Sequence, residues 1–402
     1  MGRAKEMMIR ESEKGFRSRD TWVCTSCIGD DALKRYIRRN GEQEHACSYC
    51  DEESRGRKAV PFDVFVTRVL EGLQSEWGDP NDEGVAWEKG WVGEVFDTYD
   101  ILTEEVEIGF RSEALFEHTH FSLGDHQWCQ KNFYELEPHQ ALSAGWEEFS
   151  NLVKHESRYV FFRKRDERAS GRGSEEVPPS AFLDELGHLL HSLRLYSVLP
   201  AGTETIRVRI HHPDIKLSTH VELGPPPAKL ARFPNRMSAA GITAFYSAFD
   251  VETALAETVM PESRSPMLAT AGTFQLQRDL LLVDFRSLPP VPSVFEPDSR
   301  SRRHGIRFLR RFLQDFEAPV VKDGREHVEY VPTQIIAEYL RFVHQDPKGQ
   351  PINGILYNSA RKRGSHACVL FLGPENIAGD RSNDGEKTLL LCAVQSLEVP
   401  AA

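Results

Sequence analysis

The spacing of apolar and polar positions changes several times along this chain of 402 residues. Between Val60 and Arg163 the apolar side chains of Phe62, Phe65, Val66, Val69 and Leu70 recur near i, i+3, i+4, i+7 and i+8, the period of a helix with one buried face. Trp77, Trp87, Trp91, Trp128 and Trp146 fall in the same span and read as core residues rather than a ligand cage. From Arg163 to Ser180 the periodicity is lost: both signs of charge occur with Gly and Pro and almost nothing apolar, as in a linker or exposed loop. Leu183, Leu186, Leu189 and Leu190 then mark an amphipathic stretch, and Ile206-Arg207-Val208-Arg209-Ile210 alternates like a half-buried strand. Further strands are expected over Phe274 to Gln277, Leu280 to Phe285, Ile352 to Tyr357, Cys368 to Leu372 and Thr388 to Val394. Helices are expected over Val251 to Val259, Ile306 to Phe316 and Thr333 to Val343. Strands and helices mix without a strict βαβ alternation, which predicts an α+β fold; no internal repeat is visible.

Length and composition divide this pattern into parts. A chain of this size with 40% hydrophobic residues can bury a substantial core and is expected to form two or three domains. The expected division is a cysteine-bearing module over 1–57, a mainly helical region over 58–165, a linker over 166–181 and a C-terminal α+β domain over 182–402. The longest apolar runs, such as Leu389 to Val394, are far shorter than the roughly 18 to 20 residues of a membrane span. The charged first twenty residues lack the apolar core of a signal peptide, so a cytoplasmic protein is expected. A net charge of −12 opposes broad binding to nucleic acid, which depends on many cations meeting phosphates.

Cys24-x-x-Cys27 and Cys47-x-x-Cys50 are separated by 19 residues, Ile28 to Ala46, a spacing that marks a zinc site. Four thiolates close a tetrahedron and leave no position for substrate, so the expected role of the zinc is structural. His45 lies beside Cys47 as a substitute ligand. Arg39-Asn40-x4-His45 and Arg111-x6-His118 loosely match the Arg-x4–6-His pattern of HEPN ribonucleases, a match that chance can supply in a chain with 15 histidines.

A second set of residues lies in the C-terminal part. Leu223-Gly224-Pro225-Pro226-Pro227 is followed by Asn235-Arg236-Met237-Ser238, by Phe245-Tyr246, by Thr253-Ala254-Leu255-Ala256-Glu257 and, after a buried-looking strand, by Tyr357-Asn358-Ser359. In that order these segments, spanning about Thr205 to Val399, resemble the RES-domain family, whose members degrade NAD with an ADP-ribosyltransferase-like active site. The N-terminal half is similar to a region found with RES and HEPN domains. The resemblance implies that NAD is a substrate, and no Gly-x-Gly-x-x-Gly or P-loop pattern supports a recycled nucleotide instead.

Residue by residue, the resemblance carries over as follows. Arg207 matches the first family arginine, although Ile206 stands where an aromatic is usual, so Arg209 on the same strand face remains an alternative. Arg236 matches the second arginine, Tyr246 the tyrosine near nicotinamide or ribose, Glu257 the carboxylate and Ser359 the serine. Breaking the nicotinamide–ribose bond builds positive charge on the sugar, so a diphosphate clamp, an aromatic ring and a carboxylate are the groups such a site requires. Glu257, Arg236 and Ser359 are accordingly expected to be catalytic, and Arg207, Arg209 and Tyr246 to bind substrate. Ser359 is expected to hydrogen-bond to substrate or to Glu257, since no Gly-x-Ser-x-Gly elbow surrounds it. Water and inorganic phosphate both remain open as acceptor, an antitoxin-like regulatory partner is implied, and the sequence leaves homo-oligomerisation open. ADP-ribosyl transfer to a macromolecule, a non-catalytic nucleotide-binding module and, last, a zinc-dependent nucleic-acid binder are the competing readings. The arginines at 300, 302, 303, 307, 310 and 311 surround an apolar stripe and read as a solvated helix face.

Overall fold

The computed structural model describes residues 9, 11–50, 58–163, 177–258, 268–318, 324–379 and 387–398. Most of the linker expected over 166–181 lies outside them, as does Val259 at the end of the helix expected from Val251. The chain forms two compact units, Met1–Glu137 with Pro290–His304, and Pro138–Pro289 with Gly305–Ala402.

In the first unit, β1 (Trp22–Cys24) pairs antiparallel with β2 (Ala59–Pro61), bringing Cys24 opposite Ala59. Helix α1 (Asp31–Asn40) starts where the Asp30 carboxylate accepts a hydrogen bond from Leu33 N at 2.7 Å, satisfying an amide that the helix itself leaves free. Helix α2 (Phe62–Glu76) buries Phe62, Phe65, Val66, Val69 and Leu70, the face its period predicts. Strands β3 (Trp77–Gly78), β4 (Phe96–Asp97) and β5 (Gln127–Gln130) form a small sheet in the order β3-β5-β4, an addition to the helical pattern, with α3 (Glu113–Leu123) nearby in sequence. Val23, Cys24, Cys27 and Ile28 share one hydrophobic core with Phe62, Phe65, Val69 and Leu115. The cysteine-bearing segment therefore packs into the helical region. Val294 and Phe295 join this core; the Phe295 ring lies 2.3 Å from where a Cβ on Gly72 would sit, so only glycine fits there. Arg303 is buried and pairs with Glu76 at 2.7 Å, which removes it from the solvated face its sequence context predicts. Trp77 and Trp128 are core residues, whereas Trp87 is 63% exposed and packs edge-on against Trp91 at 5.0 Å.

The second unit begins with α4 (Pro138–His155), whose Trp146 and Phe149 stack among Phe182 and Phe312 at 5.0 to 5.5 Å. These aromatic contacts place the unit boundary before α4 rather than in the polar 166–181 segment. After α5 (Phe182–Leu193) come β6 (Tyr196–Leu199), β7 (Glu204–His211), β8 (Phe245–Ala248), α6 (Val251–Thr258), β9 (Leu268–Leu276) and β10 (Leu280–Asp284). Helices α7 (Arg303–Glu317) and α8 (Val331–Phe342) precede β11 (Gly354–Asn358), β12 (His366–Leu370), β13 (Ile377–Ala378) and β14 (Leu389–Glu398). The strands form one mixed sheet in the order β13-β14-β9-β7-β8-β12-β11-β10-β6; among the described residues β10/β11 and β13/β14 are the parallel pairs. The architecture is mixed α/β with a large sheet, in line with the α+β expectation.

One feature of this sheet positions the site. β7 pairs with β9 over eight residues but with β8 only at Ile206↔Ala248, so the two central strands part immediately before Arg207. On one side of the split Phe245, Phe274, Leu370 and Leu389 build a core of large side chains. On the other, Ala248, Ala254, Ala269, Ala271 and Ala367 surround Val208, and these small residues let α6 approach the sheet closely. The Asp250 carboxylate caps α6 by accepting from Thr253 N at 2.8 Å.

Candidate active site

Two cavities of about 770 and 410 Å³ open in the second unit and share Phe233, Asn235, Tyr246, Glu257, Thr258 and Tyr357 as lining residues. They behave as two lobes of one cleft, in the size range of small-molecule sites. Arg207, Arg209 and Arg232 line the smaller lobe, where Glu257 is the sole lining carboxylate, so that lobe is cationic. The larger lobe mixes Arg236, Arg361 and His327 with Glu257, Glu317 and Glu326.

Alternation along β7 turns Arg207 and Arg209 to one side of the strand. Where the ladder to β8 is broken, Arg207 Nη1 donates to the Tyr246 carbonyl at 2.9 Å, and its guanidinium lies 5.5 Å from the centre of the Phe245 ring. Burial, and then the neighbouring Arg209 charge, pull its pKa down to about 10, which leaves it cationic at neutral pH. Arg207 Nε is buried with no hydrogen-bond partner among the described residues, a donor that an anionic ligand would satisfy. Arg209 donates to the Gly224 carbonyl at 2.6 Å and is likewise lowered by burial. The Gly-Pro-rich segment thus orients one of the arginines. Both alternatives for the first family arginine lie in the same lobe.

Arg236 sits in a tight turn closed by hydrogen bonds between Asn235 and Ser238. Its Nη1 donates to the Phe316 carbonyl at 2.6 Å, and Gln334 of α8 donates to the Asn235 carbonyl at 2.8 Å, so α7 and α8 fix the turn. Tyr246 directs its hydroxyl at this turn, accepting from Met237 N at 3.2 Å and lying 3.0 Å from Ser238 Oγ. Burial pushes that hydroxyl up to about 12, so it stays neutral. The ring, not the hydroxyl, is what Tyr246 offers to the cleft.

Glu257 is exposed on α6, one turn beyond Ala254, and lines both lobes. Ser359, 6% exposed, donates its hydroxyl to Glu257 Oε1 at 2.5 Å and accepts from the Lys362 and Arg361 amides at 3.0 and 3.3 Å. With both acceptor directions occupied by amides, the proton can only point at the carboxylate. Lys362 Nζ reaches Asp250 at 3.2 Å and Glu252 at 2.6 Å, tying the 359–365 loop to the start of α6. The six residues expected to form the site thus meet around one cleft, with Ser359 behind Glu257 rather than in the lining.

Sequence reasoning missed three groups. Tyr357 lines both lobes beside the Asn358-Ser359 segment; its hydroxyl is held far above the usual range by burial and then by the Glu257 charge. Phe233, 82% exposed, stands where the two lobes meet, and as a lone aromatic in a Pro-rich loop it gave no periodic signal. Glu317 ends α7, one residue beyond the helix expected over Ile306 to Phe316.

In the first unit, Cys24 Sγ lies 3.9 Å from Cys27 and 3.7 Å from Cys50, and Cys27 lies 3.5 Å from Cys47. A tetrahedron with metal–sulfur bonds of about 2.3 Å has edges of about 3.8 Å, so the four thiols are spaced to hold one ion. The separations are too long for disulfides, whose S–S bond is about 2.05 Å. His45 is not in the cluster: it stacks on Trp22 at 3.7 Å and faces Glu42. His118 meets Arg19 at 2.9 Å and the Tyr49 hydroxyl at 3.1 Å, while Arg111 donates its amide to the Cys27 carbonyl, so among the described residues the Arg111 and His118 side chains do not pair.

The second unit is thus an α/β domain with a split sheet, a cleft of one cationic and one mixed-charge lobe, and a glutamate held by a serine. Comparison with known families gives it a place: residues 207–388 match the RES domain, and residues 40–167 match HEPN/RES N-terminal domain 1. The chain is a RES-domain protein with an N-terminal HEPN/RES region. Neither the curated proteins nor the solved structures contain a significant match. Among the described residues no helix is long and apolar enough to cross a membrane.

Proposed function

We propose that this protein consumes NAD by cleaving the bond between nicotinamide and ribose, and that it acts as a toxin or defence effector through NAD depletion. The observation that carries this reading is Glu257, oriented by Ser359 at the junction of a cationic lobe and a mixed-charge lobe. In this reading Arg207 and Arg209 hold the diphosphate, the unpartnered Arg207 Nε supplying a donor. The Tyr246 ring stacks near the nicotinamide or its ribose, and Arg236 completes the larger lobe. As the glycosidic bond breaks, its electron pair goes to the nicotinamide nitrogen, the leaving group departs neutral, and positive charge develops on the sugar. The Glu257 carboxylate stabilises that charge and holds a ribose hydroxyl, and no general acid is required on the leaving side. Ser359 acts through Glu257 as a positioning residue.

The four cysteines hold a structural zinc ion in this reading, because the sulfurs complete the coordination shell and no open position remains for chemistry. The N-terminal half restrains the activity or docks a regulatory, antitoxin-like partner.

The test is to incubate the full chain and its Glu257→Ala variant with NAD, with and without phosphate, and to follow products by proton and phosphorus NMR. Nicotinamide release by the wild type and its loss in the variant support the reading. NAD left intact by the wild type, or consumed equally by both, overturns it; labelling of a macromolecule by the ADP-ribose half would replace it with transfer.

A further inference from the structure

Glu317, the last residue of α7, lines the larger lobe, and its Oε1 accepts a hydrogen bond from Asn358 N at 3.1 Å. Asn358 immediately precedes Ser359, which holds Glu257. Two carboxylates far apart in sequence are therefore fastened by adjacent residues at the end of β11, whose Cα atoms are about 3.8 Å apart. The position is unfavourable for a negative charge. A helix C-terminus presents the negative end of its dipole, and Glu317 is half-buried and makes no ion pair among the described residues, with the Arg236 charge only partly offsetting its burial. Its Oε2 makes no hydrogen bond among the described residues. Glu326 lines the same lobe, but no hydrogen bond fixes its carboxylate among the described residues.

Resting on the NAD-cleavage reading of this cleft, we infer that Glu317 is a second catalytic carboxylate, the general base for an attacking water, while Glu257 serves the sugar. The water oxygen forms a bond to the anomeric carbon, the bond from that carbon to nicotinamide breaks with its electron pair passing to the ring nitrogen, and one water proton passes to Glu317. The products are ADP-ribose and nicotinamide, and the proton is later lost to solvent. A pair of carboxylates in different surroundings can divide such roles. Burial raises the Glu317 pKa, with the Asn358 amide and the Arg236 charge partly opposing it. The other titratable groups lining that lobe are Glu257, Glu326, His327, Tyr330, Tyr357 and Arg361. A raised pKa suits a base that must accept a proton near neutral pH.

The test compares full-length wild type with Glu317→Gln and Glu317→Ala, measuring kcat and KM for NAD between pH 4.5 and 8. Glutamine keeps an oxygen for the Asn358 amide but cannot take a proton. The expected result is a fall in kcat of about 100-fold or more with KM little changed, and loss of the wild-type acid limb. Added formate should restore part of the Glu317→Ala rate, a rescue that a merely structural role would not permit. Phosphate, already anionic, should partly bypass Glu317→Gln and shift its products toward phosphorolysis. A Glu317→Gln protein with wild-type kcat and acid limb overturns the inference alone. Wild type that leaves NAD intact at every pH overturns the cleavage reading, and the role of Glu317 falls with it.

Discussion

The cysteine cluster and the cleft are each built from a few polar side chains, but they solve opposite problems. Cys24 and Cys27 are buried in the core of the first unit, and their sulfurs face inward on one another. Glu257 is exposed, and among the described residues its carboxylate is held by a hydrogen bond from Ser359, 102 residues away. A closed cluster can be assembled from two short local loops, since the metal supplies the binding energy. An open cleft must hold charges apart without a ligand present, so its anchors come from distant elements: the Gly224 carbonyl for Arg209, the Phe316 carbonyl for Arg236, the 359–365 loop for Glu257. The contrast is between a cluster closed on itself and a cleft that stays open.

The contrast can be broken at either end. The largest effect is expected from Cys47→Ser or strong chelation, because structural zinc binding contributes about 10 kcal/mol or more to folding where no site exists in the unfolded chain. Unfolding of the first unit, with about one equivalent of zinc released, is the result to measure; full stability after chelation would remove the structural role. Next, Glu257→Gln should lower NAD consumption by about 1,000-fold while thermal unfolding stays close to wild type, since the exposed carboxylate packs against little.

A third effect involves neither site. His344 is 5% exposed, lies 2.8 Å from the Tyr196 hydroxyl, and burial with the nearby His191 lowers its pKa from 6.5 to about 4. The folded state thus binds a proton less readily than the unfolded chain, so stability is full above pH 6.5 and declines as pH falls toward 4. At pH 5 the loss from this group is about 2 kcal/mol. Denaturant unfolding of the second unit at pH 7 and pH 5, with His344→Gln as control, checks it. The smallest effect should come from Ser359→Ala, about a 10-fold loss of rate, with a stability cost of about 1–3 kcal/mol for the two amides left without an acceptor. An unchanged rate there would mean that Glu257 needs no positioning.

Much of the chain was legible in its residues. The period of Phe62 to Leu70 located α2 and its buried face, and the cysteine spacing located the cluster. The ordered segments from Arg207 to Ser359 named residues that meet around one cleft. Other features were not legible. The Trp87 and Trp91 pair has the same composition as a core pair, and only burial separates them from Trp128. Arg303 shares a helix pattern with exposed arginines, yet it pairs with Glu76, which lies 227 positions earlier in the chain. Glu317 carries no motif at all, because its significance lies in the Asn358 amide it accepts and in the helix end on which it sits.

The sequence alone determined the period of the buried α2 face, the paired spacing of the four cysteines and the identity of the family, since all of these depend on spacing between neighbours and on residue types in order. Only the tertiary structure decided where β7 and β8 part, that Arg207 keeps a buried donor unpaired, that Ser359 spends its proton on Glu257, and that Glu317 joins it. Those facts depend on strand pairing and packing between segments 39 to 102 residues apart, and such contacts leave no local trace in the chain.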